Sequence, residues 1–247
     1  MSGHSKWSKI KRAKGANDAK RSKMFSRIVK EIAIAVKEGG PDPEANPRLR
    51  LAMNNAKGVN MPKDNVERAI SKADKEGDNL EEMSFEGYAL NGVGVFVDCL
   101  SDNKQRTVAK VRAIFTKYNG SLGTNGSLSF LFDTKGIFTI PLTDSIDMDE
   151  FELEIIDAGA EDIEVEEGVI TITTAKEDFG NVQKKLDSLG IEMENAGLQR
   201  IPNDTKPLDV QTSLKIMRMI DAFEDEDDVQ DVYHNLELTD EVIEAME

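Results

Sequence analysis

In 247 residues the chain has one cysteine, two histidines and one tryptophan. A lone Cys99 excludes an intramolecular disulfide and any zinc site built on cysteines, and it suits a reducing compartment. His4 and His234 stand at opposite ends of the chain, which argues against a two-histidine metal site. Aromatic residues make up only 6%, so the cores are expected to be Ile, Leu, Val and Ala. No apolar run approaches the roughly 18 residues of a membrane span. The richest early run, Ile28–Val36, is broken by Lys30 and Glu31, so it is no signal-peptide core either. Basic residues are missing where acidic ones are densest: Asp221–Glu247 holds 12 acidic residues and no Lys or Arg.

Recurrent catalytic and nucleotide-binding patterns are missing as well. Gly92-Val93-Gly94 precedes a strand-like run instead of opening a helix, so it is not a dinucleotide fingerprint. Gly120, Gly123 and Gly126 have no Gly-Lys-Ser/Thr after them, which excludes a P-loop; tight turns explain them better. Glu224–Asp228 lacks the central glycine and terminal glutamate of a calcium loop and reads as a solvated acidic surface. Asp102, Asn103 and Arg106 fall between a strand and a helix without a partner base, and Asp102 or Asn103 is expected to cap that helix. Cys99, in a strand, is expected to be a core residue. With no nucleophile–base pair and no metal cluster, the sequence names no catalytic residue, no metal ligand and no cofactor.

What the chain does have is concentrated at its start. Residues 1–30 carry ten basic side chains and one acidic one, inside a protein of net charge −16. Residues 1–75 hold 18 Lys/Arg against 8 Asp/Glu, and residues 76–247 hold 13 against 39. Folding does not require such segregation, whereas a polyanionic partner would favour it. A globally acidic protein has to present its basic end first. Lys6, Lys9, Lys11, Arg12 and Lys14 neutralise phosphates, with binding made strong and salt-dependent by counterion release. Trp7 among them can stack on an exposed base. Lys20, Arg21, Lys23 and Arg27 lead into and lie on the first clear helix and continue the same path. Arg48, Arg50, Lys57, Lys63 and Arg68 are candidates to widen it, each of which also reads as an ordinary exposed helix residue.

Taken in order, residues 1–20 lack helical periodicity and read as an arm. Phe25, Ile28, Val29, Ile32 and Val36 form one apolar stripe, stopped by Gly39-Gly40-Pro41. Asn46-Pro47 supplies a cap and a first-turn proline for a second helix ending at Gly58. Pro62 opens a third, carrying Val66, Ala69, Ile70 and Ala73 on one face. Strand patterns follow: Glu86–Leu90 and Val93–Leu100 around an Asn91-Gly92 turn, a helix over 103–118, and a strand over Ser127–Asp133. From Lys135 the order is βαββαβ, the ferredoxin-like split unit. A helix over Leu208–Phe223 and a strand over Val229–Leu236 complete the chain. The fold class is therefore α+β: an N-terminal helical bundle plus two α/β-sandwich (ferredoxin-like) domains, the last inserted into the middle one. The expected boundaries are 1–77 for arm and three-helix bundle, 82–133 with 207–240 for the discontinuous domain, and 134–206 for the insertion.

Several stretches in this order resemble the YebC/PmpR family along nearly the whole chain: Gly3-His4-Ser5-Lys6-Trp7; Ala16–Phe25; Asn46-Pro47-Arg48-Leu49-Arg50; Asn60-Met61-Pro62-Lys63-Asp64 with Glu67-Arg68-Ala69-Ile70; Phe85-Glu86-Gly87-Tyr88; Asp102-Asn103 with Arg106-Thr107; and Gly120–Phe132. The resemblance implies three domains, a cytoplasmic bacterial protein and a DNA-binding regulator of transcription. It also implies an alternative, since other relatives act in translation as mitochondrial activators or as ribosome-associated factors at proline-rich sequences. Ala89-Leu90 departs from the family's usual Gly-Pro, in the first hairpin. A basic, serine-containing start also fits a mitochondrial transit peptide, but the family motif already begins at Gly3, and the expectation is the bacterial form without one. The expected partner is nucleic acid, either DNA or ribosomal and transfer RNA, with the ribosome itself as a further candidate and no membrane. The stretch Gly39–Ala45 is too long for a helix-turn-helix turn, and a basic arm with an aromatic suits RNA as well as DNA. The oligomeric state is left open.

Overall fold

The computed structural model describes the backbone of residues 18–76 and 79–246 and the side chains of 21–75 and 79–246. Helix α1 runs over Asp18–Gly39, α2 over Pro47–Gly58 and α3 over Lys63–Glu76. One side chain joins the first two. Asn46, 3% exposed, donates its amide to the carbonyls of Ala35 and Gly40 and accepts from the Leu49 N–H. It thus satisfies orphan groups at the end of α1 and the start of α2 together. Gly40, at φ +82°, supplies the left-handed turn after α1. The sequence expects one apolar stripe on α1. Instead Ile32–Val36 are all buried, five in succession, while Val29 is 38% exposed. That stretch is covered on every side, which a period of 3.6 cannot reveal.

The chain divides into two compact units: the chain up to Lys30 with Asp78–Asp133 and Ile201–Glu247, and Glu31–Gly77 with Thr134–Arg200. The second unit contains strands β4 (Phe132–Pro141), β5 (Ala160–Glu166), β6 (Val169–Ala175) and β7 (Asn195–Pro202) with helices α5 (Met148–Asp157) and α6 (Phe179–Ser188). The sheet order β5-β6-β4-β7 is that of the ferredoxin-like split unit expected from βαββαβ. Phe138, Ile140, Ile170 and Ile172 face Phe151 and Ile155 of α5 and Val182 and Leu186 of α6. Helix α2 covers the edge strand β7: the Asn55 amide both donates to the Ala196 carbonyl and accepts from its N–H, each at 2.8 Å. A covered edge cannot recruit a foreign strand.

In the first unit, β1 (Glu81–Tyr88), β2 (Gly94–Ser101), β3 (Ser121–Leu122) and β8 (Val229–His234) form a sheet of order β3-β1-β2-β8, antiparallel throughout. The expected hairpin is present: Leu90 accepts from the Val93 N–H, and Asn91 and Gly92 both take positive φ. Helices α4 (Lys104–Lys117) and α7 (Val210–Glu224) bury Val111, Phe115, Ile216, Ile220 and Phe223 against Val95, Val97 and Cys99. A short helix α8 (Asp240–Glu244), unanticipated from sequence, is capped by Thr239 and anchored by buried Val242. The fold is thus α+β, with a helical N-terminal region and two four-stranded sheets, one interrupting the other.

One strand differs. Ser127–Asp133 is expected to be extended, but residues 125–131 turn, and the strand beside β1 is Ser121–Leu122. The reason is Glu86. Its buried carboxylate accepts the N–H groups of Gly126 and Leu128 at 2.6 and 2.7 Å, taking donors a strand would give to its neighbour. Leu128 and Phe132 then pack on Phe96, on the sheet face away from α4 and α7.

Candidate nucleic-acid interface

The arm residues Lys6, Trp7, Lys9, Lys11, Arg12 and Lys14 lie outside the described residues, and Lys20 is described only as a backbone position in α1. Arg21 is exposed, its guanidinium 5.5 Å from the Phe25 ring centroid. Lys23, Arg27 and Lys30, spaced four and three apart, share one face of α1. That face meets the end of α7 and the loop after it. Lys23 reaches the Asp225 carboxylate at 2.6 Å and its carbonyl at 2.8 Å. Arg27 donates to the Glu224 carbonyl at 3.0 Å. Lys30 donates to the carbonyls of Leu100 and Asp227 and to the Asp228 carboxylate. Cations gather here because a helix C-terminus presents unpaired carbonyls and negative dipole.

Arg48 and Arg50 belong to the other unit. Arg48 pairs with Glu38 at 2.7 Å and Glu31 at 3.4 Å. Arg50 donates to the carbonyls of Pro43 and Glu44. Both brace the α1–α2 connection. The structure therefore brings Lys23 and Arg27 together on one helix face, with Arg21 on the same helix, and gives Arg48 and Arg50 local partners of their own.

The acidic run Glu224–Asp228 differs from a uniformly solvated surface. Asp225 is exposed, but Asp228 is 5% exposed. Asp228 accepts from Arg106 Nε and Nη2, Thr107 Oγ1 and Lys30 Nζ, all within 3.1–3.3 Å. Burial pushes its carboxyl up, but the Arg106 hydrogen bond, the Lys30 charge and the Thr107 hydroxyl outweigh that and hold it below the ordinary range. Arg106 also holds Asp102 at 2.8 Å and Ser101, and its own pKa is raised by the Asp102 and Asp228 hydrogen bonds. Asn103 is the cap, accepting from the Arg106 N–H at 3.0 Å. Lys110 pairs with Glu226 at 2.6 Å, and that hydrogen bond raises its pKa.

The motif Asp102-Asn103-x-x-Arg106-Thr107 is thus a brace around one buried carboxylate. It joins the end of β2, the start of α4, the turn before β8 and α1. Sequence reading missed Lys30 and Asp228 as its members. The spacing of 23, 27 and 30 was a usable signal for Lys30, but nothing local marks Asp228 as the buried acid among its neighbours. Burial pushes the Cys99 thiol up to about 12. Among the described residues, no group of three or more His, Cys, Asp or Glu is placed to hold a metal ion, and no helix is long and apolar enough to cross a membrane.

These features define a class: an α+β chain with a helical N-terminal region and two four-stranded sheets, one interrupting the other in sequence, with a charged brace around the buried Asp228 carboxylate. The chain belongs to the TACO1/YebC family. The family's N-terminal domain matches residues 5–76, and its second and third domain match residues 80–236. A protein of Amoebophilus asiaticus (strain 5a2), named "Probable transcriptional regulatory protein", is 52% identical over 239 residues, covering 96% of this chain and 98% of that one. One from Hathewaya histolytica, "Probable transcriptional regulatory protein ORF2U", is 48% identical over 239 residues, covering 96% and 97%. The crystal structure of a conserved hypothetical protein, Aq1575, from Aquifex aeolicus is similar with a TM-score of 0.80 at 41% identity, covering 92% of this chain and 94% of that one.

Proposed function

We propose that this chain is a non-enzymatic, cytoplasmic, nucleic-acid-binding regulator of gene expression, acting on transcription through DNA. The observation that carries this is the ten-to-one excess of basic over acidic side chains in residues 1–30 of a protein with net charge −16. The names of relatives such as the Amoebophilus asiaticus protein support regulation of transcription. Lys6, Lys9, Lys11, Arg12 and Lys14 grip phosphates, and Trp7 stacks on a base. Arg21 continues the path. Lys23 and Arg27 join it by exchanging their contacts at Asp225 and Glu224 for phosphate oxygens. Arg48 and Arg50 add phosphate contacts of their own within a gripping domain of residues 1–77, while the acidic domains 82–133 with 207–240, and 134–206, repel the same polyanion.

A second reading, contact with ribosomal or transfer RNA during elongation, is favoured by one observation. Seven residues, Gly40–Asn46, separate α1 from α2, whereas a DNA-reading helix-turn-helix needs a turn of about 3–4. Sedimentation with ribosomes at physiological salt, beside titration onto promoter-sized DNA with excess competitor, separates the two. Sequence-selective DNA binding supports the transcriptional reading; comigration with ribosomes and no DNA preference refutes it. Replacing Lys6, Lys9, Lys11, Arg12 and Lys14 by Ala should weaken either interaction and lower the slope of log affinity against log salt by about four. Undiminished binding refutes the arm's role.

A further inference from the structure

The stretch Asn119–Phe132 contains no charged residue, in a chain that is 32% charged. Its backbone is held at many points. The Glu86 carbonyl accepts from the Gly123 N–H at 2.7 Å, and the Glu86 carboxylate accepts from the Gly126 and Leu128 N–H groups. The Tyr88 hydroxyl donates to the Ser127 carbonyl. Asn203 donates its N–H to the Leu131 carbonyl at 2.9 Å and its side-chain amide to the Phe130 carbonyl at 3.3 Å. Beneath the loop, Leu128 is fully buried, and the Phe132 ring meets Phe96 edge-on at 5.1 Å. Between these anchors the Phe130 side chain stands out, 70% exposed. A loop this well tied, whose sequence offers Leu128 and Phe132 to the core, nevertheless directs one large ring into solvent.

We propose that Phe130 is a stacking platform for an unpaired nucleobase of single-stranded RNA or DNA; the proposal rests on the nucleic-acid reading above and adds a second contact to it. Three observations select a base over an apolar pocket on a protein. First, the other exposed residues of the loop are small or polar (Asn119, Ser121, Thr124, Asn125, Gly126 and Ser129), so a single flat ring is offered without the surrounding apolar contacts of a protein hot spot. Second, stacking on an aromatic ring requires no charge, and every base has a π-face to give. Third, the loop itself brings no charged side chain to its surface, since the Glu86 carboxylate beneath it is buried and bonded to the Gly126 and Leu128 N–H groups, so repulsion of a phosphate-bearing strand is least here in a strongly acidic protein. The rigid backbone limits the ordering cost of presenting the ring, and the exposed Thr124 hydroxyl and Asn125 amide offer hydrogen-bonding groups for a base edge.

The test uses the full-length protein with short oligoadenylate, oligouridylate and a duplex of equal length. Phe130→Ala, at an exposed position, should melt with the wild type. It should lose about tenfold in single-strand affinity, a loss typical of a removed stacking aromatic, while duplex affinity and the salt dependence stay unchanged, since no phosphate contact is removed. Phe130→Tyr should restore binding. Phe130→Trp in a Trp7→Phe background should show indole emission quenched on saturation with the oligonucleotide. Unchanged single-strand affinity of Phe130→Ala, or unquenched emission at saturation, overturns the proposal. So does unchanged single-strand affinity combined with lost protein association, which would assign the ring to a protein contact. If the arm variant abolishes binding while Phe130→Ala does not, only this inference falls; if the wild type binds no nucleic acid, the functional reading falls with it.

Discussion

Asp228 offers the sharpest test of how the first unit is held together. The perturbation is its replacement by Ala, with Asn as the conservative companion. In the native protein the carboxylate is 5% exposed and receives Arg106, Thr107 and Lys30. Removing one partner of a buried ion pair costs about 3–5 kcal/mol, because the other charge is left uncompensated. Here the loss falls near the lower end. The Arg106 side chain is 43% exposed and keeps Asp102, and Lys30 keeps two carbonyls. Asp228→Ala is therefore expected to cost about 3 kcal/mol, and Asp228→Asn, which still accepts from Thr107, about 1–2 kcal/mol. At about 2–4 °C per kcal/mol the alanine variant should melt about 6–12 °C lower, read by circular dichroism. The sign with pH follows from the depressed carboxyl. The unfolded chain takes up the proton first, so the stabilisation is complete above the ordinary value of 3.8 and is lost as pH falls below it through the folded pKa. The gap between wild type and Asp228→Asn should be constant at neutral pH and close in that acid window. Equal melting temperatures at neutral pH, or a gap that persists as the wild type is acidified through the window, would refute the reasoning.

Asp225→Asn removes the carboxylate partner of Lys23 at an exposed position. Nucleic-acid affinity should rise about two- to fivefold, the worth of one exposed ion pair, with melting unchanged; equal or weaker binding in a filter assay would show that Lys23 is not part of the phosphate path. Cys99, 2% exposed with its thiol pushed up to about 12, should react with iodoacetamide at mildly alkaline pH on the order of a thousandfold more slowly than in urea-unfolded protein. Fast labelling under native conditions would contradict its place in the core. A Cβ at Gly58 would lie 1.8 Å from the Glu194 carbonyl oxygen, and backbone cannot yield as a side-chain tip does. Gly58→Ala should cost about 1–3 kcal/mol in urea unfolding, and a neutral result would mean that α2 does not sit against the chain before β7.

The order of elements was legible because each rests on short-range chemistry. Asn46-Pro47 announced the start of α2, Asn91-Gly92 the hairpin, and βαββαβ the split unit. The loop before β4 was not legible. Ser127–Asp133 has strand-like composition, but the N–H groups of Leu128 and of Gly126 just before the stretch go to Glu86, some forty residues earlier in sequence. The all-round burial of Ile32–Val36 was hidden for the same reason, since periodicity reports one face and not what surrounds a helix. Of the candidate interface, charge counting found Lys23 and Arg27 but not their partners, because contacts across about two hundred residues leave no local pattern.

By itself, then, the sequence determined the kinds and order of the elements, the family, and the segregation of positive charge to the start of the chain. These are properties of composition, spacing and backbone preference within a few residues. Only tertiary structure decided which carboxylate of Glu224–Asp228 would be buried, that Arg106 would brace it, and that Phe130 would be left bare between two anchored neighbours. Burial depends on what the rest of the chain brings to a residue, and a buried charge or an exposed ring acquires its meaning from those neighbours.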